Sequence, residues 1–394
     1  MKGIEMFVYL DNSATTKPYD KVTETMADCM KNCFGNPSSL HRLGIAAEKE
    51  LKTARKAVAN VLHVKEEEIY FTSGGTESDN TAIFGAAQAR KRKGKKIITS
   101  QIEHPAVLEA CRYLEQKEGF HVVYIGVDQK GRLNLEQLAD EMNEETILVT
   151  IMHVNNELGT IQPISEIGSL KRENTLFHTD AVQSFGKEKI NFAGNSVDFL
   201  SLSGHKIHGP KGIGALYVNR GIHIPPFIYG GGQEKGFRSG TENVPAIVGL
   251  GSASQISIED FERKRTHVIQ IRTHLLEGLK EAIPNIRINS PESDDECGPY
   301  ILNVSFLGCR AEVLLHSLEQ KEIYVSTGSA CSSKKKGSHI LRAVGLSDEA
   351  MEGAIRFSFS EDNTIEQMDY VLEEVKKAVE TMRKLRGAIG RNRR

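Results

Sequence analysis

The middle of the chain alternates between short apolar runs and stretches with helical spacing, and this pattern restricts the fold more than any other feature. Six runs have the length and composition of buried strands, namely residues 69–72, 96–100, 121–126, 147–152, 176–180 and 197–202. Helical stretches lie between most of them, at residues 76–92, 105–116, 135–142 and 164–173. Such alternation predicts an α/β layer around a mainly parallel sheet. Ligands bind beyond the carboxyl ends of the strands in such sheets, so we expect functional residues directly after the strands.

The two ends of the chain predict a second, smaller α+β domain. Residues 7–10 have the pattern of a short strand. The helices expected at residues 21–34 and from an N-cap at Ser39 to residue 62 belong instead to the large domain. Further along, helical segments are expected at residues 244–283, 311–320 and 363–386, and strands at residues 301–306, 324–326 and 355–358. We therefore expect a large domain over residues 16–260 and a small domain formed by residues 1–15 and 261–394.

Composition and charge exclude several classes of function. The 394 residues include 50 basic and 52 acidic side chains, and a net charge of −2 gives no reason to expect nucleic acid or an anionic membrane as a partner. No apolar window reaches the ~20 residues of a membrane-spanning helix, and residues 1–9 lack the apolar core of a secretory signal. Six cysteines without a Cys-x-x-Cys pair predict reduced thiols in a cytoplasmic protein, not disulfides or a bound metal.

A glycine-rich turn after the first strand of the layer has the features of a phosphate site. Gly74, Gly75 and Thr76 join this strand to a helix, where backbone N–H groups and the positive end of the helix attract an anion. No lysine follows the glycines, so a small phosphate ester fits better than a nucleotide. Ser203 and His205 follow another strand and are placed to close the same site. A tight capped turn without a ligand explains the glycines equally well.

Residues 201–212 contain the best candidate for covalent chemistry. Lys206 follows a strand and is flanked by Ser203, two histidines and several glycines. Confinement and cationic neighbours make a lysine lose its proton more readily, which turns it into a nucleophile. Taken alone, the stretch fits a solvated basic turn equally well, and Lys211 is a second candidate.

Asp180, at the end of a buried strand, favours the covalent interpretation. A buried carboxylate needs a cationic or N–H partner, and a protonated pyridine nitrogen suits it. Together with a reactive lysine 26 positions later and a phosphate site, Asp180 specifies pyridoxal phosphate chemistry. Gln183 would then face the phenolic oxygen of the cofactor ring. His104 follows another strand and would lie against the face of that ring.

Seven motifs, in one order along essentially the whole chain, resemble those of a known family. They occupy residues 9–16, 72–80, 103–104, 154–159, 180–183, 203–206 and 238–243. Together they resemble the cysteine desulfurases of the NifS/IscS type, which are class V, fold-type I pyridoxal phosphate enzymes. The resemblance implies a homodimeric transferase with a large α/β domain and a smaller α+β domain.

The resemblance also implies roles for the matching residues. The cofactor-binding residues would be Gly75, Thr76, His104, Asp180, Gln183, Ser203, His205, Lys206 and, reaching the phosphate of the neighbouring subunit, Thr241. Lys206 would bind the cofactor covalently, and Lys206 and His104 would move protons during catalysis. Asn155 and Arg356 would hold the substrate carboxylate, which the planar fork of an arginine suits.

Cys331 is the expected catalytic nucleophile. It lies in a polar loop at about residues 325–340, beside three lysines whose field favours the thiolate. The flanking sequence resembles the mobile loop of the group I desulfurases. Cys309 is the second candidate, but its setting is typical of a packed side chain. No metal site is expected, apart from transient Fe–S ligation by Cys331.

These residues predict a cysteine desulfurase. It would convert L-cysteine to L-alanine, hold the sulfur as a persulfide on Cys331, and pass it to an acceptor for iron–sulfur cluster assembly or for tRNA or cofactor thiolation. The expected partners are L-cysteine, a second copy of the chain, and a sulfur-acceptor protein such as an Fe–S scaffold or a tRNA-thiolation enzyme.

Two alternatives remain open. A class V aminotransferase or β-eliminating lyase would share Lys206 and Asp180 but would not need Cys331. A scaffold protein that retains the cofactor without turnover is the other alternative. The sequence identifies neither the acceptor nor the preference between cysteine and selenocysteine, and its basic tail from residue 383 fits either a partner contact or a solvated end.

Overall fold

The computed structural model describes residues 6–190, 197–327 and 337–391. Its strands are β1 (Val8–Tyr9), β2 (Ile69–Thr72), β3 (Lys96–Ser100), β4 (His121–Ile125), β5 (Thr146–Thr150), β6 (Leu176–Asp180), β7 (Phe199–Ser203), β8 (Gly214–Val218), β9 (Ile286–Ile288), β10 (Ile301–Phe306), β11 (Ile323–Tyr324) and β12 (Ala354–Ser358). Its α-helices are α1 (Asp20–Asn32), α2 (Arg42–Leu62), α3 (Gly75–Arg90), α4 (Pro105–Glu118), α5 (Leu135–Glu141), α6 (Ile164–Ser169), α7 (Val244–Ile258), α8 (Phe261–Ala282), α9 (Ala311–Glu319), α10 (His339–Ala343), α11 (Asp348–Glu352) and α12 (Ile365–Arg391). The elements from β2 to β6 alternate with α3 to α6, as the sequence predicts.

Seven strands, β2 to β8, form one sheet with the order β2-β8-β7-β6-β5-β3-β4. The four neighbouring pairs from β4 to β7 are parallel, whereas β8 runs antiparallel between β7 and β2. The predicted mainly parallel sheet is therefore confirmed. Since β2, β3, β5, β6 and β7 all end at the same edge, the polar residues that follow them converge there.

Alternate residues of the central strands pack into two separate apolar cores. In β6, Leu176 joins the core of α3 and α4, whereas Phe177 joins the core of α2 and α7. Phe199 and Leu200 of β7 divide between the cores in the same way. Successive side chains of a strand point to opposite faces, so helices cover each strand on both sides. This double burial explains why the strands form continuous apolar runs in the sequence.

The chain ends and the C-terminal third form a further apolar core. β12, β10 and β9 make an antiparallel sheet, and β1 pairs in parallel with β11. Val8 of β1, Leu275 of α8 and Val375 of α12 all lie in this core. The N-terminal strand therefore packs with elements that follow residue 260, although the proposed domain boundaries at residues 15 and 260 stay a prediction.

The start of α2 differs from the prediction. The helix begins at Arg42, and its N-cap is His41, whose Nδ1 accepts a hydrogen bond from the Gly44 N–H at 3.3 Å. The predicted cap, Ser39, lies in a turn where its own N–H donates to the Asn36 carbonyl at 2.9 Å. A preceding turn that closes on Asn36 thus moves the helix start beyond Ser39.

Several other element ends also differ from the prediction. α6 ends at Ser169, four residues before the predicted end, and α12 runs to Arg391, past residue 386. β11 is limited to residues 323–324, because Ser326 exchanges two backbone hydrogen bonds with Arg356 of β12 instead, at 2.7 and 3.1 Å. This last contact ties the segment after β11 to the predicted substrate-binding arginine.

Candidate active site

A cavity of about 380 Å³ is lined by the residues that follow the parallel strands. Its size is typical of a site for a small molecule. Nine of the predicted site residues line it, namely Gly75, Thr76, His104, Asp180, Gln183, Ser203, His205, Lys206 and Arg356. The fold thus brings together motifs that lie far apart in the sequence.

Lys206 lies in a single 3₁₀ turn directly after β7. Its Nζ donates hydrogen bonds to the carbonyl oxygens of Ser13 at 2.5 Å and Ala14 at 2.8 Å. Burial and the nearby positive charges of Lys187 and Arg356 lower the pKa of Lys206 to about 7. A large share of this amine is therefore neutral near neutral pH, and the neutral form is the nucleophile.

Asp180 ends β6 with its side chain almost fully buried against the cavity. Its Oδ1 accepts a hydrogen bond from the Val182 N–H at 2.9 Å. Burial raises the pKa of Asp180, because few groups replace the water that would otherwise solvate its charge. A cationic ligand atom in the cavity would stabilise the ionised carboxylate.

His104 is the N-cap of α4, directly after the turn that ends β3. Its Nδ1 accepts a hydrogen bond from the Ala106 N–H at 3.1 Å, so the proton of the neutral ring is on Nε2. Burial lowers the pKa of His104. The geometry therefore provides a neutral imidazole at the cavity wall with a defined tautomer.

The predicted phosphate site is a region of very close backbone approach. A Cβ atom at Gly75 would lie 2.7 Å from Val182 Cγ2, so a side chain at this position would collide with the cavity wall. The first N–H groups of α3 have no partner within the helix and attract an anion. His205 faces the same cavity, and its Nδ1 lies 3.2 Å from Thr15 Oγ1. Burial, with Lys206 nearby, lowers the pKa of His205 to about 4, so its ring is neutral.

The cavity is also lined by an N-terminal turn, for which the sequence predicted no site residue. Asp11, Ser13 and Ala14 all line it. The Ser13 carbonyl also accepts a hydrogen bond from Gln183 Nε2 at 2.9 Å, which orients the predicted partner of the phenolic oxygen. The turn belongs to the family-like motif at residues 9–16, and that motif is the signal that pointed to it.

Arg356 of β12 lines the opposite wall of the cavity and is 5% exposed. Its Nη1 donates to the Asn156 carbonyl at 2.8 Å, and its Nη2 donates to Asp11 Oδ1 at 2.8 Å. These two hydrogen bonds fix the orientation of the guanidinium at the cavity wall.

Comparisons with known proteins place this architecture in one family. Residues 8–371 match the family described as aminotransferase class-V. Two proteins called cysteine desulfurase IscS match over 380 residues and 96% of this chain. The one from Clostridium botulinum is 44% identical with 96% of its own length covered, and the one from Methanosarcina thermophila is 46% identical with 93% covered. The chain belongs to the NifS/IscS cysteine desulfurases of the class V aminotransferase family.

Solved structures of the desulfurase family agree with this assignment. A NifS-like protein has a TM-score of 0.89 and 40% identity, with 95% of this chain and 100% of that chain covered. The structure described as SspA in complex with cysteine has a TM-score of 0.79 and 38% identity, with coverages of 90% and 99%. The predicted family, fold class and enzyme class are confirmed.

The cavity fits the cofactor on which this desulfurase family depends. A Cβ atom at Gly75 would collide with Val182, so glycine lets the start of α3 approach the cavity closely. The buried Asp180 carboxylate borders the cavity and accepts a hydrogen bond from the Val182 N–H, and Lys206 has a lowered pKa. These three features correspond to the phosphate, the ring nitrogen and the aldehyde of pyridoxal phosphate. The residues present therefore fit the group.

Asn155 is the one predicted substrate residue that the structure does not bring into the cavity. Its side chain is fully buried, with Oδ1 accepting from the N–H groups of Glu157 and Leu158 at 2.9 Å and Nδ2 donating to the Ile102 carbonyl at 3.1 Å. All its polar groups thus stabilise the loop after β5, and its neighbour Asn156 lines the cavity instead. The geometry favours a structural role for Asn155.

Thr241 lies outside the cavity of its own chain, in the exposed segment before α7. Arg238, three residues earlier, donates to Glu77 in α3, with Nε 2.9 Å from Oε1. This ion pair fixes the segment close to the phosphate end of the site. The exposure of Thr241 is compatible with a contact to a second subunit, which stays a prediction.

The predicted nucleophile, Cys331, lies outside the described residues. All five described cysteines, Cys29, Cys33, Cys111, Cys297 and Cys309, have pKa values raised by burial. Cys309, the second candidate, is 3% exposed and packs in the C-terminal core. None of these five thiols is activated as a nucleophile.

A second groove, of about 650 Å³, lies beside the N-terminal turn and contains Lys211. Phe7, Tyr19 and Asp362 also line it, and it has none of the strand-end residues Asp180, Ser203 or Lys206. Lys211 is exposed there, whereas Lys206 faces the catalytic cavity. The structure thus distinguishes the two lysines that the sequence left as alternatives.

Proposed function

We propose that this protein takes the sulfur atom from L-cysteine, releases L-alanine, and holds the sulfur as a persulfide on Cys331 before passing it to an acceptor protein. The observation that carries the proposal is the single cavity in which Lys206, Asp180 and Arg356 meet. The relatives named cysteine desulfurase support the reaction, and the cysteine-bound relative supports the substrate. Iron–sulfur cluster assembly and tRNA or cofactor thiolation are the proposed uses of the sulfur.

The proposed cofactor is pyridoxal phosphate, held mainly by the wall at the strand ends. Gly75, Thr76, Ser203 and His205 would hold its phosphate, and Lys206 would bind it covalently. Asp180 would pair with the ring nitrogen, Gln183 with the phenolic oxygen, and His104 with the ring face; these eight residues line one cavity. When bound, the group supplies an electron sink for the negative charge that develops on the substrate.

The protein side chains move the protons and complete the sulfur transfer. Lys206 Nζ, with its pKa lowered to about 7, can accept and return a proton near neutral pH. His104 Nε2 provides a second proton site at the same wall. In the net reaction the Cβ–S bond of L-cysteine breaks, an S–S bond forms on Cys331, and a proton replaces sulfur on the carbon, which yields L-alanine.

The loop that carries Cys331 begins at the cavity. Ser326 lines the cavity, and Cys331 follows it by five residues, which span up to ~17 Å when extended. On the far side of the loop, His339 Nε2 donates to the Glu103 carbonyl at 3.0 Å, next to His104. Both described ends of the loop are thus anchored at the active site, which supports Cys331 as the sulfur carrier. Transient Fe–S ligation by Cys331 is part of the same proposal.

The proposed active form is a homodimer in which Thr241 completes the phosphate site of the partner copy. Large apolar side chains exposed on one chain support burial by a second copy, among them Leu40 at 95%, Tyr229 at 77% and Phe34 at 71%. No helix in the described ranges is long and apolar enough to cross a membrane. We place the enzyme in the cytoplasm, and light scattering of the purified protein tests the dimer.

Comparison of Cys331→Ala with the native protein tests the reaction. The native protein should release alanine and sulfide in equal amounts from L-cysteine and a thiol reductant, and mass spectrometry should find one added sulfur atom on the peptide that contains Cys331. The variant should lose both products by about a hundredfold or more, because it lacks the sulfur acceptor. Cys33→Ala, which changes a half-buried cysteine outside the cavity, is the matched control.

Two results would contradict the proposal. If Cys331→Ala forms alanine and transferable sulfur at the native rate, Cys331 is not the sulfur carrier. If the native protein exchanges amino groups between alanine and a keto acid but leaves L-cysteine intact, it is an aminotransferase.

A further inference from the structure

Asp11 is a carboxylate of the active-site cavity for which neither the motif nor the proposed reaction supplies a role. Its Oδ1 accepts a hydrogen bond from Arg356 Nη2 at 2.8 Å, although 345 positions separate the two residues. The Asp11 side chain is 25% exposed and lines the cavity, whereas the Arg356 side chain is 6% exposed. An acceptor on the substrate-binding arginine competes with a substrate carboxylate, so its presence there requires an explanation.

Arg356 retains hydrogen-bonding capacity beside Asp11. Nη1 is used by the Asn156 carbonyl, and one Nη2 hydrogen is used by Asp11. Nε is buried without an acceptor among the described residues. Because Nη2 has a second hydrogen, it can donate to a carboxylate while Asp11 keeps its own hydrogen bond.

The other neighbour of Asp11 is the reactive amine. The negative charge of Asp11 favours the protonated form of Lys206, and Lys206 donates to Ser13 and Ala14 in the turn that Asp11 begins. The Asp11 carboxylate is thus hydrogen-bonded to Arg356 and acts electrostatically on the Lys206 amine. An α-amino acid presents a carboxylate and an ammonium group on the same carbon, and these two charges match this arrangement.

The other carboxylates of the cavity, Asp180 and Asp79, are more deeply buried than Asp11. Asp180 is almost fully buried and receives the Val182 N–H. Asp79 also borders the cavity but is only 1% exposed, and its Oδ1 lies 3.5 Å from His178 Nε2. Among the described residues, Asp11 is thus the carboxylate most open to an incoming molecule.

We propose that Asp11 recognises the α-ammonium group of the substrate, beside the Arg356 site for its carboxylate, and so makes the cavity specific for zwitterionic amino acids. This inference rests on the proposed function, in which L-cysteine is the substrate. Asp11 offers the ammonium a charge-assisted hydrogen bond as the substrate enters. It also repels a carboxylate ligand that lacks the ammonium, so specificity includes a repulsive component.

Removing the negative charge of Asp11 should therefore weaken the binding of L-cysteine and strengthen the binding of a carboxylate that lacks the ammonium group. In Asp11→Asn, the KM for L-cysteine should rise about tenfold, since a charged hydrogen bond to the ammonium is lost. The inhibition constant of 3-mercaptopropionate, which has the thiol and the carboxylate but no amine, should fall about threefold, since the repulsion is relieved. If Asp11 had only a structural role, Asp11→Asn would weaken the binding of both ligands.

Steady-state kinetics of the cofactor-loaded protein tests this, with L-cysteine as substrate and 3-mercaptopropionate as competitive inhibitor. Asp362→Asn is the matched control, because Asp362 lies in the neighbouring groove and outside the catalytic cavity. Asp11→Glu keeps the negative charge and should retain the native preference. If Asp11→Asn does not fold, Asp11→Ser gives the same comparison with a smaller uncharged side chain.

A rise in the KM for L-cysteine together with tighter 3-mercaptopropionate binding supports the inference. Equal weakening of both ligands, or no change in either, overturns it. These outcomes are distinct from failure of the proposed function, which appears as absence of alanine formation from L-cysteine by the native protein.

Discussion

One wall of the cavity consists of residues that follow the strands of the seven-stranded sheet, and the other consists of the N-terminal turn and β12. The sheet wall supplies Asp180, the last residue of β6, together with His104 and Lys206, which follow β3 and β7. The opposite wall, with Asp11 and Arg356, joins segments 345 positions apart. We propose a division of work, in which the sheet wall would hold the cofactor and move protons and the opposite wall would select the substrate.

The largest effect expected from this comparison is that of Lys206→Ala. Loss of the amine removes both the covalent link to the cofactor and a proton site, so kcat should fall by about a thousandfold or more. Borohydride reduction followed by peptide mass spectrometry should find the cofactor attached at Lys206 in the native protein and nowhere in the variant. Lys211→Ala is the matched control, since Lys211 lies in the neighbouring groove.

One result would contradict the assignment of the covalent cofactor site to the sheet wall. If Lys206→Ala still retains the cofactor through a borohydride-reducible bond while Lys211→Ala does not, the covalent site lies in the larger groove. The two cavities would then exchange their roles.

The sheet wall is the part of the site that the sequence predicts well. Its strands are covered by helices on both faces, so they appear as continuous apolar runs whose ends can be located. In a parallel sheet those ends meet at one edge, so the order of strands and turns in the sequence is enough to place Gly75, Asp180 and Lys206 together. Local pattern and layer geometry are sufficient for this wall.

The opposite wall could not be predicted in the same way. The contact between Asp11 and Arg356 depends on the packing of β12 beside the N-terminal turn, which no local pattern indicates. Asn155 is a case in which a local motif predicts a substrate contact that the structure does not form. Its side chain instead accepts hydrogen bonds from the N–H groups of Glu157 and Leu158 in the loop after β5. Ser39 is a similar case, since the turn closed on Asn36 displaced the helix start. A tertiary contact decided the first case, and local hydrogen bonds decided the other two.

A smaller effect, confined to substrate binding, is expected from Arg356→Lys on the opposite wall. A lysine keeps the positive charge but loses the planar fork that binds a carboxylate through two hydrogen bonds. The KM for L-cysteine should rise about thirtyfold, with kcat reduced by about threefold or less. Steady-state alanine formation at saturating cofactor measures both constants.

A drop in kcat with an unchanged KM would contradict the division between the walls. It would mean that Arg356 acts on the chemical step and not on substrate selection. The absorption spectrum of the bound cofactor provides the control, because it should not change if the sheet wall is intact.

The smallest effect concerns the pH dependence of cofactor uptake, which reports on Lys206 of the sheet wall. Because burial and nearby positive charges lower the pKa of Lys206 to about 7, the neutral amine predominates above that pH and is lost below it. The rate at which cofactor-free protein takes up pyridoxal phosphate should thus rise about tenfold per pH unit below pH 7 and level off above it. Stopped-flow absorbance over pH 5.5–9 measures this curve. A rate that keeps rising to pH 9 without levelling off would show that the Lys206 pKa stays nearer the ordinary lysine value of ~10.4 and that the cavity does not activate this amine.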